Sequence, residues 1–400
     1  MRHLLLCLLL AATGAAYGQN PLPRLLRTDP TLAAVARQAG KHRLQILYTQ
    51  IRRDAQGQPH FTSYSYRLRP DEYFYPASAI KLPAALLALE KLHDLRQTQP
   101  ELRSNAPLRI AAAGWGQTPV EHDSTSANGR PSLAHYVHKM LLVSDNDAYN
   151  RLYEFVGPAG LNQGLRAHGL HHTVLRHRLS VGDQDSTARH ANPLALYTDT
   201  TLARPLYLQP AAYFGGRWPR GARRGRYIGA AYLEGGQRIS KPLDFSTKNA
   251  TTLADLQRSL QLVLFPEAIP PAQRLHLDSA DRRLVLNSLH QLPRQSQHPR
   301  YLPADYPDNH VKFLLAGGPA GPLPEGVRIY NKIGLAYGFL IDNAYIINSE
   351  TGVEFLLSAV VYVNSDGVLN DDQYDYDTVG FPFLRRLGEV VYEHEKSRAK

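Results

Sequence analysis

A serine and a lysine three residues apart, Ser78 and Lys81 in Pro76-Ala77-Ser78-Ala79-Ile80-Lys81, open an alanine- and leucine-rich run that reads as a buried helix from Tyr75 to Leu92. Positions i and i+3 share a helix face, so the lysine nitrogen is expected within reach of the serine hydroxyl. A hydroxyl is a weak nucleophile until a base removes its proton. A lysine amine becomes such a base when burial and nearby positive charge lower its pKa. The helix start adds backbone N–H donors and a positive dipole end beside the nucleophile. The chemistry suited to this pair is acyl transfer through a serine ester. Chance produces the same spacing elsewhere, as Ser397 and Lys400 show in the polar tail.

Two later motifs supply what the first lacks. Ser144-Asp145-Asn146 interrupts a helical pattern running from Ser132 to Val156, and alone it reads as a helix break or cap. Lys332-Ile333-Gly334 lies in a strand-like run that continues Leu335-Ala336-Tyr337-Gly338. In this order the three resemble the S-x-x-K, S-D-N and K-T-G signature of class A β-lactamases and penicillin-binding proteins. The likeness extends to Met140-Leu141-Leu142 and Asn150 around the middle motif, and to Asn249-Ala250-Thr251-Thr252. It spans most of the chain beyond the first twenty residues.

The resemblance implies roles. Ser78 is the nucleophile and Lys81 its base, Ser144 relays a proton to the leaving nitrogen, and Asn146 binds the substrate amide and Lys81. Lys332 offers positive charge to a substrate carboxylate. Backbone N–H groups of Ser78 and Leu335, the latter beside Gly334, form an oxyanion hole. Asp145 is expected to be structural.

Two departures bear on the reaction. The family carries a glutamate on the loop after the S-D-N helix, where it activates the hydrolytic water. Here Ser180 stands at that place, and no glutamate lies between Glu154 and Glu234; Asp183 and Asp185 are the nearby carboxylates. Ile333 replaces the hydroxyl of K-T-G, a loss of about 1 to 3 kcal/mol if the lost hydrogen bond is buried. The first reading is therefore a serine hydrolase that acylates on a β-lactam or related amide. A cell-wall D-Ala-type peptidase or transpeptidase is the second. A peptidoglycan-binding protein without turnover is the third, opposed by the joint presence of Ser78, Lys81, Ser144, Asn146 and Lys332.

The elements that must position these residues follow from pattern. Helical spacing from Pro30 to Gly40 precedes strands at His42–Tyr48 and Phe61–Leu68, joined by a polar turn. A helix is expected over Thr252–Phe265, strands over Val327–Ile333, Ala336–Asn348 and Val353–Asn364, and a closing helix over Gly380–Glu393. The fold class expected is α+β, a class A β-lactamase or transpeptidase-like sandwich. Its antiparallel sheet would come from both chain ends, residues 19–75 and 310–400, with a mainly helical middle at 76–309. The Gly-, Arg- and Pro-rich stretch at about 192–248 reads as an insertion or long surface loop.

Composition bounds the rest. Residues 1–18 combine a basic start, a short apolar run and small residues, the pattern of a secretory signal peptide. Secreted or periplasmic location is expected. No later run is apolar enough to span a membrane. The only cysteine is Cys7, so the mature chain would have no disulfide or thiolate chemistry. A net charge of +10 favours anionic surroundings without fixing a partner. His168, His171 and His172 lack the H-E-x-x-H spacing of a metal site. The arginines from Arg217 to Arg226 read as a basic loop rather than a nucleic-acid surface, and no phosphate-binding glycine loop is present. A monomer without metal or cofactor, acting on a small β-lactam or a peptidoglycan peptide, is expected.

Overall fold

The computed structural model describes residues 19–113, 118–182, 186–219, 224–318 and 323–398. The proposed leader and both Asp183 and Asp185 lie outside the described residues. Five long strands form one antiparallel sheet: β1 (Gln45–Arg53), β2 (Pro59–Tyr66), β3 (Val327–Ala336), β4 (Phe339–Asn348) and β5 (Val353–Tyr362), in the order β3-β4-β5-β1-β2. Gln45 pairs with Val360 and Gln50 with Phe355, so the two chain ends meet in the middle of the sheet. This is the expected α+β architecture. β3 is left as an edge of the sheet.

One face of the sheet is covered by α1 (Leu22–Thr28), α2 (Pro30–Ala36) and α9 (Phe381–Arg398), packing Leu22, Leu32, Phe383, Leu387 and Val391 against Ile46, Ile329, Ala344 and Phe355. The other face carries α7 (Leu253–Leu264) and α8 (Ser279–His290). Beyond them lie α3 (Lys81–Arg96), α4 (Leu133–Leu142), α5 (Asn146–Val156) and α6 (Pro158–Ala167), gathered around Leu86, Leu89, Met140, Leu141, Leu152 and Tyr153. α3 is buried along almost all of its length from Lys81 to Leu89, as its Ala/Leu composition requires of a helix at the centre of a helical layer.

The stretch expected as a loop at 192–248 is more structured than its composition suggests. It contains Leu194–Tyr197, which is buried and pairs with Leu108–Ile110, and Ala231–Glu234, which pairs in parallel with Val368–Leu369. Short strands whose partners lie far along the chain leave little local pattern. Among the described residues no helix is long and apolar enough to cross a membrane.

Candidate active site

Ser78 stands in a 3₁₀ turn at the head of the expected helix rather than in the α-helix itself. A 3₁₀ segment, Ala77–Ile80, precedes α3, and Lys81 is the first residue of α3. Ala77 has φ of 46°, a left-handed backbone that a side chain with Cβ adopts only at a cost of about 1 kcal/mol or more. The turn is clamped from the side by β3. A Cβ on Gly334 would lie well under 3.0 Å from the Pro76 carbonyl oxygen, so only glycine lets the strand come this close. Gly334 thus brings Leu335 alongside Ser78, and both line a cleft of about 430 Å³.

The S-D-N motif breaks the helical run as its composition predicts. α4 ends at Leu142; Ser144 takes φ of 64°, and the Asp145 carboxylate accepts the Ala148 N–H at 2.8 Å to cap α5. Asp145 thus serves as the N-cap of α5. The sharp reversal points the Ser144 carbonyl and hydroxyl at the buried end of Lys81. Lys81 Nζ donates to Ser144 O at 2.5 Å, Asn146 Oδ1 at 2.6 Å and Ser144 Oγ at 3.3 Å. From the other side Lys332 Nζ donates to Ser144 Oγ at 2.8 Å and to the Ile333 carbonyl at 3.1 Å. Lys81, Ser144, Asn146 and Lys332 therefore form one hydrogen-bonded cluster. Ser78, Asn146 and Leu335 face the cleft next to it.

One expected contact is missing. Lys81 makes no hydrogen bond to Ser78 Oγ, because its three N–H donors are already taken by Ser144 and Asn146. Helical spacing placed the two residues on adjoining turns, but a buried ammonium turns toward carbonyl acceptors. Burial lowers the pKa of Lys81 to about 7, partly opposed by Asp145. Lys332 is pushed well below the usual lysine value by burial, then by the charge of Lys81, while Asp342 acts the other way. Two lysines sharing one serine hydroxyl resist being charged together, so the cluster favours a free amine near neutral pH.

A family model for the β-lactamase enzyme family matches residues 29–394. The chain belongs to that family. Solved structures similar to it include a β-lactamase from Desulfarculus baarsii, at 19% identity over 90% of this chain and 95% of that one, with a TM-score of 0.47. Others are a β-lactamase from Xanthomonas campestris, at 19% identity, 92% and 97% coverage and TM-score 0.49, and one from Sphaerobacter thermophilus, at 15%, 91%, 96% and 0.49. No curated protein matches the sequence.

This member of the β-lactamase family positions the loop after α6 by a regular device. Asn146, Asn150 and Glu154 lie four residues apart on one helix face. Asn146 Nδ2 donates to Ser180 Oγ at 2.9 Å. Asn150 bonds both the N–H and the C=O of Leu179, at 2.7 and 2.9 Å, and Glu154 pairs with Arg178 at 2.7 Å. Three successive loop residues are thus read by three successive helix turns. Sequence reasoning noticed Asn150 through family likeness but missed Glu154 and Arg178, although the i, i+4, i+8 spacing was open to view. Ser180, with φ of 56°, lines the cleft at the place where the resemblance would put a glutamate.

Ile333 behaves differently from its reading as a lost substrate contact. Strand alternation sends Lys332 toward the cleft and Ile333 to the opposite face, where it is 5% exposed among Ile329, Leu340 and Phe383. It lies in the core and does not line the cleft. The histidines also resolve simply: His168 bonds Glu90 at 2.7 Å and the Gln273 carbonyl at 3.0 Å, a buried tether. Among the described residues no group of histidine, cysteine and carboxylate side chains could hold a metal ion. Sequence reasoning also missed the far wall of the cleft, formed by Asn370, Asp372, Tyr374 and Tyr376 from the segment between β5 and α9.

Proposed function

We propose that this protein is an active-site serine hydrolase that forms an acyl-enzyme on Ser78 with a β-lactam or a related amide. The observation that carries this reading is the cluster of Lys81, Ser144, Asn146 and Lys332 opening onto the cleft that holds Ser78 and Leu335. In the free-amine form Lys81 takes the Ser78 proton as Oγ attacks the carbonyl carbon. This needs the amine to turn from Ser144 toward Ser78 as substrate binds, a tightening common at catalytic hydrogen bonds. The N–H groups of Ser78 and Leu335 stabilise the oxyanion. Ser144, hydrogen-bonded to both lysines, passes a proton to the departing nitrogen, and the C–N bond breaks to leave the ester. Water then hydrolyses the ester and restores Ser78. The leader-like first residues support action outside the cytoplasm.

Ser180, bonded to Asn146, favours a second reading of the same site. A hydroxyl there is a poor base for water, so the ester would be long-lived, as suits a D-Ala-type peptidase or transpeptidase. Intact-mass spectrometry after mixing with benzylpenicillin, alongside Ser78→Ala, tests both. A Ser78-dependent adduct is expected; decay within minutes supports lactam hydrolysis, and persistence supports the peptidase reading. No adduct at Ser78 with any lactam or D-Ala-D-Ala ester would overturn the acyl-enzyme proposal.

A further inference from the structure

The wall opposite Ser180 is made by the chain between β5 and α9. This segment is held in place: Val368–Leu369 pairs with Ala231–Tyr232, Asn370 Nδ2 donates to the Leu233 carbonyl at 3.1 Å, and Asp375 accepts from Ser365 N and Oγ at 2.7 and 3.0 Å. Its tyrosines are fixed as well. The Tyr376 hydroxyl accepts the Gly338 N–H at 2.9 Å, the Tyr374 hydroxyl accepts the Asn370 N–H at 3.0 Å, and the two rings lie 5.1 Å apart. Tyr75 and Tyr337, which also line the cleft, meet edge to face at 5.1 Å. Four tyrosine rings therefore border the cleft together with Asp372.

Among the described residues that line the cleft, Asp372 is the one carboxylate, and none is a lysine, arginine or histidine. Its side chain is exposed and has no hydrogen-bond or salt-bridge partner among the described residues. Its backbone is left-handed, at φ of 58°. A carboxylate that shares a cleft with four tyrosine rings, and with no cationic side chain among its described lining residues, is suited to an ammonium group.

We propose that Asp372 and the rings of Tyr337, Tyr374 and Tyr376 form a subsite for a cationic amine on the acyl part of the substrate. The inference rests on the acyl-enzyme reading for its orientation. A leaving nitrogen must reach Ser144, which lies beside Lys332. With the carbonyl at Leu335 N–H, the acyl part then runs the other way along the free edge of β3, past Ala336 to Tyr337 and the Asp372 wall.

The test compares ampicillin with benzylpenicillin, which differ by one α-amino group on the acyl side chain. Rate constants for acylation of Ser78 are read by intact mass at about pH 6.5, where that amine is protonated. The amine-bearing compound is expected to react about tenfold faster. The ratio should fall to about one in Asp372→Asn, a change suited to this site because asparagine tolerates the left-handed backbone. It should be kept in Asp377→Asn, an exposed carboxylate of the same segment outside the cleft. A ratio near one in the native protein, or one unchanged in Asp372→Asn, overturns the subsite and leaves the acyl-enzyme reading intact. If neither penicillin labels Ser78, acylation does not report on the subsite, and the acyl-enzyme reading falls only if no other lactam or D-Ala-D-Ala ester labels it either. The subsite is then judged by calorimetric titration of Ser78→Ala with both compounds: preference for ampicillin that is lost on adding Asp372→Asn supports it, and equal or absent binding overturns it.

Discussion

Lys81 is fully buried, and its ammonium depends on Ser144 and Asn146 for all three of its acceptors. Burial lowers its pKa to about 7, which makes the amine form accessible near neutral pH. The acylation rate should rise with pH through a midpoint near 7, as the amine form accumulates, when benzylpenicillin labelling is followed from pH 5 to 9. Asn146→Asp would place a carboxylate at the 2.6 Å contact and favour the charged form. Its midpoint is expected to move up by more than one pH unit, with slower acylation at pH 7; an unmoved midpoint would assign the titration to another group. The motif residues were legible because each side chain has a chemistry its neighbours cannot supply. The missing Lys81–Ser78 bond was not, since it depends on which of several nearby acceptors a buried ammonium selects. Asp372 was not legible either, because nothing local distinguishes one aspartate in an acidic turn from the one that reaches the cleft.

At the scale of elements, the ladder from α5 to residues 178–180 carries the precision of the cleft. Glu154 and Arg178 are each 3% exposed at the side chain, and the Asn192 N–H adds a 3.1 Å bond to the same carboxylate. Removing one partner of a buried pair leaves the other charge uncompensated, at a cost of about 3 to 5 kcal/mol. Glu154→Gln is therefore expected to lower stability by about 3 kcal/mol in denaturant unfolding. It should also slow acylation, since the Ser180 loop loses an anchor two residues away. A change below about 1 kcal/mol would show the pair to be well replaced by neutral hydrogen bonds. The long strands and α3, α4, α5, α7 and α9 were legible, for their periodicity extends over many residues. The helices α6 and α8 and the short strands at 194–197 and 231–234 were passed over. Those strands owe their conformation to Leu108–Ile110 and to Val368–Leu369, and a sequence window sees neither partner.

For the whole molecule, buried lysines tie stability to pH. Burial lowers Lys81 to about 7 and Lys91 to about 8, against about 10.4 in an unfolded chain. Between those values the unfolded state binds more protons, so stability rises with pH. The melting temperature is expected to climb by a few degrees from pH 7 to pH 9 in scanning calorimetry, and Lys81→Met should flatten the climb. A melting temperature that falls over this range would mean that other groups dominate the linkage.

The same sheet that joins both chain ends also sets an order of assembly. β1 leaves the ribosome early, yet its partner β5 and the edge strand β3 with Lys332 and Gly334 arrive only after most of the chain has been made. Ala77 and Ala79 pack with Val174, Phe245 and Leu253, but the side clamp on the Ser78 turn forms only when Gly334 docks against Pro76. Loop closure over such a separation is slow compared with helix formation. A chain cut short anywhere before β3 would hold the serine and its lysine without Lys332 or the Leu335 N–H proposed for the oxyanion. On the proposed mechanism, acylation at Ser78 is therefore expected only once β3 has been made.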